Sequence, residues 1–356
     1  MFRSRLRFAP VLAAATLTLG AFAVCPAQAQ FVGTNFQTID PPFAFPAAGN
    51  PYDTVSLAYG ISNNGTIVGL YTDTDSPTIP SQRGYILQNG NYTSVSFPAQ
   101  AGTLNNTTSL FSINNAGVST GSYEVYDVNT GDLVSTTGFI RSSSGVFSMP
   151  MVATPGATNT LFAGINDAGL VAAQYTLNGA RHSAVFNTNT NAFTFLPDAA
   201  TNTLLQFVGS NGDLVGNLNN GGAFSGFIYR NGAYTTFNAP SATDTRFNGI
   251  NTAGIVSGRY RDSNGLSHGL LYNSNNGFFS TFDVPGATQT FLYQGSINDS
   301  NQISGAYNDQ NGVTHSFSAT AVAAPEPSAL GLLTTGASLL GSTVLVRRRR
   351  RSKCAI

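Results

Sequence analysis

The stretch GINTAGIVSGRY, residues 249–260, decides how this chain is read, because it returns five more times. The other copies are YGISNNGTIVGLY (59–71), FSINNAGVSTGSY (111–123), GINDAGLVAAQY (164–175), VGSNGDLVGNL (208–218) and SINDSNQISGAY (296–307). Each carries an aliphatic anchor, at Ile61, Ile113, Ile165, Val208, Ile250 and Ile297, with spacings of 52, 52, 43, 42 and 47 residues. Eight positions after the anchor stands a small residue: Gly69, Gly121, Ala173, Gly216, Gly258 or Gly305. Two further on stand Tyr71, Tyr123, Tyr175, Leu218, Tyr260 and Tyr307. A shared frame at this period marks a repeat architecture.

Within a copy, a tight Asn/Asp-Gly turn feeds an alternating strand. A second strand follows in RGYIL at Arg83, TGFIR at Thr137, HSAVF at His182, SGFIY at Ser225, HGLLY at His268 and HSFSA at His315. A third follows in YTSVSFP at Tyr92, VFSMPM at Val146, AFTFLP at Ala192, AYTTFNAP at Ala233 and FFSTFDVP at Phe278. A fourth, such as 290–293, leads into the next turn. The sixth copy has no third strand of its own, and NFQTIDPP from Asn35 matches FFSTFDVP and supplies it. Closure of that kind removes the free edges of an open array. The expected fold is therefore all-β, a six-bladed β-propeller-like repeat domain over residues 31–320, closed by its N-terminal strand. A β-solenoid is the alternative, but the repeat is long for one coil and a solenoid needs no complementary ends.

The ends of the chain read as addresses. Arg3, Arg5 and Arg7, an apolar run from Phe8 to Val24 and the small-x-small pattern Ala27-Gln28-Ala29 give a signal peptide over 1–29, cleaved after Ala29. At the other end a linker over 321–328 contains Pro325, Glu326, Pro327 and Ser328. The uncharged run 329–346 follows, which as a helix spans about 27 Å and suits one transmembrane helix. It stops at Arg347, Arg348, Arg349, Arg350 and Arg351, in a basic tail over 347–356 that stays cytoplasmic. The two prolines keep the Glu326 segment extended.

Motif, span and arginine cluster together resemble the PEP-CTERM sorting signal of Gram-negative bacteria, a C-terminal domain also catalogued under ice-binding proteins. That resemblance implies recognition and cleavage by an exosortase, a membrane transpeptidase-like cysteine protease. It also implies an inner-membrane stage before processing, a final place at the cell surface or in the extracellular matrix, and exopolysaccharide as a further partner. The repeat phrase is similar to extracellular HAF-type repeats of bacterial surface proteins, which implies architecture and location and no activity.

Composition excludes some functions of the middle region. Three of the sixteen basic residues lie in the signal peptide and six in the tail, leaving seven arginines against fifteen acidic residues once Glu326 is set aside. Nucleic-acid binding needs clustered positive charge, so no nucleic-acid partner is expected. Cys25 and Cys354 both fall in the ends, so the exported region has no disulfide and depends on its core.

Candidate chemistry is sparse. His182, His268 and His315 open the second strands of their copies, and three equivalent histidines suggest a metal site. Yet Arg83, Thr137 and Ser225 hold the same place elsewhere, so the expectation is a strand-edge residue pairing with a turn, and no metal. Asp167 and Asp299 in the first turn, Asp73, Asp262 and Asp309 after the first strand, and Asp40 and Asp283 after the third all follow the repeat, as turn residues do. Glu124 is the one glutamate before the Pro-Glu-Pro motif and has no evident partner for a paired-carboxylate mechanism. DVNTGD (127–132) and YRDSNG (260–265) space oxygens as calcium loops do, without the closing Glu. No catalytic residue and no cofactor is expected. The functional expectation is a non-enzymatic exported surface or matrix protein linked to exopolysaccharide or biofilm, with a carbohydrate- or protein-binding propeller module and a propeller hydrolase or lyase as alternatives.

Overall fold

Short runs rich in β-branched and aromatic residues, separated by Asn-Gly and Asx turns, make every regular element among the described residues a strand, and the second strands, such as residues 119–126 and 170–177, are buried on both faces. The computed structural model describes residues 31–42, 55–73, 81–98, 104–127, 129–130, 132–198, 202–219 and 221–324. Among the described residues no helix is long and apolar enough to cross a membrane. Ala27, Ala29, the motif Pro325 to Ser328, the run 329–346 and the arginines 347–351 lie outside them.

An isolated N-terminal strand, β1 (Phe31–Thr38), precedes a series of antiparallel meanders. The first comprises β2 (Ser56–Ile61), β3 (Ile67–Asp73), β4 (Ser81–Gln88) and β5 (Asn91–Val95). The second holds β6 (Leu104–Ile113), β7 (Ser119–Tyr126), β8 (Leu133–Arg141) and β9 (Phe147–Ser148). In the third are β10 (Thr158–Ile165), β11 (Leu170–Leu177), β12 (Ala180–Asn187) and β13 (Ala192–Phe195). The fourth has β14 (Asn202–Val208), β15 (Leu214–Asn219), β16 (Phe224–Arg230) and β17 (Ala233–Phe237). The fifth has β18 (Asp244–Ile250), β19 (Ile255–Arg261), β20 (Ser267–Asn273) and β21 (Phe278–Thr281). The last has only β22 (Gln289–Phe291), β23 (Gln302–Asn308) and β24 (Thr314–Ala323). Its fourth place is taken by β1, in the order β1-β24-β23-β22, with Phe31 opposite Ala323 and Thr38 opposite Phe317.

The repeat phrase thus sits inside a meander, on the hairpin between its first two strands, and the strand that leads into each phrase belongs to the same sheet as the phrase. One third strand and one fourth strand are shorter than the sequence suggests: VFSMPM pairs only at Phe147–Ser148, and the strand expected at 290–293 ends at Phe291. At Asn89-Gly90, Asn178-Gly179 and Asn231-Gly232 both residues have positive φ, 52° followed by 77°, 78° and 81°. That is the two-residue turn whose twist suits a hairpin.

One bond type joins the first meander to the second, the third to the fourth and the last to the first. A single parallel bridge connects Gln82 with Thr107 and Arg181 with Asn202, and the same kind of bridge connects Thr314 with Val55. Ser56 and Ser316 share a buried hydroxyl bond of 2.7 Å at this last joint. Apolar clusters lie between neighbours: Val68, Val95 and Phe97 of the first meander pack with Leu110, Tyr123 and Phe139 of the second. This is a β-propeller-like arrangement, as the repeat implied.

The small residue of the frame has a packing cause. Gly69, Gly121, Gly216 and Gly305 lie opposite Tyr85, Phe139, Phe227 and Phe317 on the next strand, and each ring lies over its glycine. A Cβ at Gly121 would stand 2.1 Å from the Ser109 carbonyl and 2.6 Å from Phe139 Cζ. Where the frame has Ala173, the facing residue is Ala184. Small and large are matched copy by copy, which fills the space to interior density.

Candidate functional site

The first strands of all the meanders lead to one axis, and the side chains there form layers. At the turn end, Asn114, Asn166, Asn251 and Asn298 follow their anchors, and each Oδ1 caps its own turn by accepting from Val118, Leu170, Ile255 or Gln302 N–H at 2.9–3.0 Å. The Nδ2 groups reach onward: Asn114 to Asn166 O (3.1 Å), Asn251 to Asn298 O (3.2 Å) and Asn298 to Ser62 O (3.0 Å). Above them, Asn63 Nδ2 donates to Asp299 (2.8 Å) and across the opening to Asp167 (3.1 Å). Asn115 donates to Asp167 from both its backbone and its amide (2.8 Å each), and Thr252 to Asp299. These carboxylates are occupied by amides, and the space they line with Ile61, Ile113, Ile165, Ile250 and Ile297 is about 30 Å³, roughly one water. The turn end is narrow.

The middle of the axis is crossed by the sixth copy. From the conserved-in-frame Ser/Thr to the anchor is five residues in the other copies, as in Thr245 to Ile250, but seven from Thr290 to Ile297. The two extra residues carry Tyr293, Gln294 and Gly295 inward. Gly295, at φ 68°, donates to Asn248 O (2.9 Å) and accepts from Ile61 N–H (3.0 Å), bonding the fifth and first meanders at once. A Cβ there would stand 2.9 Å from Ser112 Oγ and 3.2 Å from Phe207, so only glycine fits.

Below this crossing lies a polar and aromatic layer. The Tyr59 ring is 4.6 Å from that of Tyr293 and 5.4 Å from that of Phe111. Gln294 Nε2 donates to Gln206 Oε1 at 3.0 Å, while Gln294 Oε1 is buried without a partner. The Arg259 guanidinium lies 5.4 Å from the Tyr293 centroid and 5.9 Å from that of Phe291. Tyr59, Phe111, Tyr293, Gln294 and Arg259 all keep partial exposure, whereas Leu110, Phe162, Leu205 and Phe247 on first strands, and Leu292 just past β22, are wholly buried.

Burial, then the field of Tyr293, pushes the Tyr59 phenol well above its ordinary range, against the opposing effect of Arg259. Burial also raises Tyr293, with Arg259 again opposing through charge and a hydrogen bond. Both rings therefore stay neutral donors at physiological pH. Burial lowers the Arg259 guanidinium; Tyr293 counters it and Arg246 adds to it. Among the described residues no carboxylate pairs with Arg259. Asp244, the nearest in its field, is held by Arg246 Nε (2.8 Å) and by Phe224 N–H (3.0 Å).

The three histidines do not converge. Each stacks on its tyrosine and gives Nδ1 to an aspartate at the end of a third strand: His182 to Asp198 (2.9 Å), His268 to Asp283 (2.7 Å) and His315 to Asp40 (2.7 Å). Nδ1 thus meets a strand end, and at His268 and His315 Nε2 also faces a turn aspartate, Asp262 at 3.7 Å and Asp309 at 3.8 Å, which is the expected pairing with a turn. No group of three or more metal-ligating side chains occurs among the described residues. In the two calcium-like loops, Asp127 Oδ1 accepts from Asn129 and Thr130 N–H, and Asp262 Oδ1 from Asn264 and Leu266 N–H. Glu124 has a partner that the sequence did not reveal, the Tyr126 hydroxyl at 2.6 Å. Two larger cavities, about 590 Å³ beside Asn35 and Tyr92 and about 720 Å³ beside Met151 and Phe193, are lined by no charged residue.

No family model matches the chain, and neither does any curated protein. Among solved structures it is similar to TolB from Agrobacterium tumefaciens, at 13% identity over 76% of this chain and 91% of that one, with a TM-score of 0.48. It is also similar to TolB from Acinetobacter baumannii, at 11% over 72% of this chain and 64% of that one (TM-score 0.46). A third is XC5397 from Xanthomonas campestris, a gluconolactonase, at 11% over 84% of this chain and all of that one (TM-score 0.46). These findings correct one expectation. The similar structures include a gluconolactonase, so the expected non-enzymatic surface or matrix role linked to biofilm is withdrawn. Likeness at this level assigns no activity in its place.

Proposed function

We propose that this chain is an exported six-bladed β-propeller that takes a small polar ligand at the open end of its axis. The observation that carries this reading is the two-residue extension before Ile297. It places Tyr293 and Gln294 against Tyr59 and Gln206, in a partly exposed layer on the axis beyond the narrow turn end. Six four-stranded groups, one completed by β1, support the blade count. Neutral tyrosine donors, amides and a guanidinium around exposed ring faces suit a hydroxylated ligand, whose apolar faces stack on aromatics and whose hydroxyls meet the amides.

Isothermal titration of the full chain in detergent with neutral and acidic monosaccharides tests the site, with the ligand assayed for turnover in the same samples. Saturable binding that Tyr293→Ala abolishes supports the axial site, and binding indifferent to Tyr293→Ala refutes it. For export, the reading rests on the signal peptide, Pro325-Glu326-Pro327 and the arginine cluster. It has the chain held in the inner membrane of a Gram-negative cell until an exosortase cuts near the motif, then released to the surface. Mass spectrometry of surface protein checks this: a C-terminus near Pro325 is expected, and an intact 329–346 peptide on released protein overturns it.

A further inference from the structure

The axial site is charged in a way the fold does not require. Arg259 occupies the place held by Leu70, Ser122, Gln174, Asn217 and Ala306 in the other copies, all buried and neutral. Two of these do structural work at that place: Gln174 Nε2 donates to Leu205 O (2.8 Å), and Asn217 Oδ1 accepts from Phe247 N–H (2.8 Å). An amide therefore suffices to bind the neighbouring first strand. A guanidinium there bears a desolvation cost and has no carboxylate to offset it. Arg246 and Arg259 face the single Asp244, which leaves one positive charge uncompensated at the mouth of a region whose aspartates otherwise outnumber its arginines.

The surroundings narrow what would compensate it. A planar guanidinium beside aromatic faces matches a carboxylate in two-pronged fashion. Gln294 leaves one amide head atom unpaired whichever way the amide is turned, and the assigned one, Oε1, needs an O–H donor. It is buried, so a hydroxyl meets it where a bound ligand displaces its neighbours. The walls offered by Tyr59, Phe111 and Phe291 suit the flat carbon face of a pyranose.

We propose that the axial site binds a hexuronic acid, with Arg259 taking the carboxylate, Gln294 a ring hydroxyl and Tyr293 the sugar face. This rests on the axial reading above and deepens it. Three probes, D-glucuronate, D-glucose and inorganic sulfate, are titrated into the full chain and into Arg259→Gln, Arg259→Lys and Tyr293→Ala. The glutamine keeps the amide that serves in the third copy, so its melting temperature stays near wild type.

Glucuronate is expected to bind the wild type at least ~30-fold more tightly than glucose. Arg259→Gln erases that preference while leaving the weaker glucose binding, and Arg259→Lys retains part of it. Equal affinity for glucuronate and glucose in the wild type, or a preference that survives Arg259→Gln, overturns the carboxylate assignment while Tyr293→Ala still upholds the axial site. Sulfate binding as tightly as glucuronate reduces the site to an anion hole and overturns the sugar. Sugar binding unaffected by Tyr293→Ala removes the axial reading itself, and the present inference with it.

Discussion

Asp40 and His315 lie 275 residues apart in the chain and 2.7 Å apart in the fold, and the other Asp40 oxygen accepts the Ser316 N–H at 2.8 Å. The fifth copy makes the same device locally: Asp283 takes His268 Nδ1 at 2.7 Å and Gly269 N–H at 3.1 Å. The residue that follows β1 therefore repeats the chemistry of a third strand from the far end of the chain. Asp40→Ala is expected to cost about 1–3 kcal/mol, the price of a half-buried pair left unmatched, and Asp283→Ala, which is more exposed, about 1 kcal/mol or less. Urea denaturation of both variants decides it; an equal loss would deny Asp40 any special share in closure.

Removing residues 31–41 should do more. It strips β1 from β24 and bares the strand edge along Phe317 to Ala323. Several kcal/mol are at stake, an apparent Tm loss on the order of 10 °C. Adding the 31–41 peptide in trans should recover part of that loss by refilling the edge. A truncated chain that melts like the intact one would mean that closure does not depend on β1.

Acid should loosen the outer hairpins. Asp262 is held below the ordinary aspartate range chiefly by the Leu266 amide, and Asp309 by that of Val313, with His268 and His315 adding smaller effects. Because their folded values are depressed, the stability they contribute is present above the unfolded aspartate value and is lost as pH falls through the folded one. The urea midpoint should decline below that range. The double variant Asp262→Asn with Asp309→Asn should show a flatter acid limb, and an unchanged limb would reject these two groups as its source.

Gly121→Ala should destabilise by about 1–3 kcal/mol through overpacking against the Ser109 carbonyl and Phe139. Phe139→Ala removes the ring for about 3–5 kcal/mol, and does not rescue Gly121→Ala because the carbonyl stays. Ala173→Gly, in the copy where Ala184 faces it, should cost about 1 kcal/mol or less. Thermal melts of the four proteins separate close packing from strand propensity.

The architecture was legible because its signals are local. Turn glycines, the anchor aliphatics and the small residue eight positions on each perform the same task in every copy, so one phrase exposes them. The match of the Asn35 stretch to the end of the fifth copy even located the strand that pairs with β24. The axial site was not legible, since it is made of departures from the phrase. Tyr59, Gln206, Arg259 and Tyr293 come from four copies and meet only when the array curls. Two signals were nonetheless present: the seven-residue step from Thr290 to Ile297, and an arginine where the other copies hold neutral residues. The histidines were read from the frame alone: three equivalent places occupied otherwise in the other copies predicted a pairing with a turn, and His268 and His315 make it with Asp262 and Asp309.

A ring of like units presents the same face in every direction, and a guest entering it has no reason to prefer one. The longer step before Ile297 breaks that equivalence in a single copy, giving the axis one side unlike the rest. It does so with Gly295 bonded to both Asn248 and Ile61, so the segment that shapes the axis also ties the fifth meander to the first. A chain of this kind that changes guests by lengthening or trimming the segment has to keep a glycine bonded to both neighbours. Specificity and stability meet in that one residue, and neither is free to drift without the other.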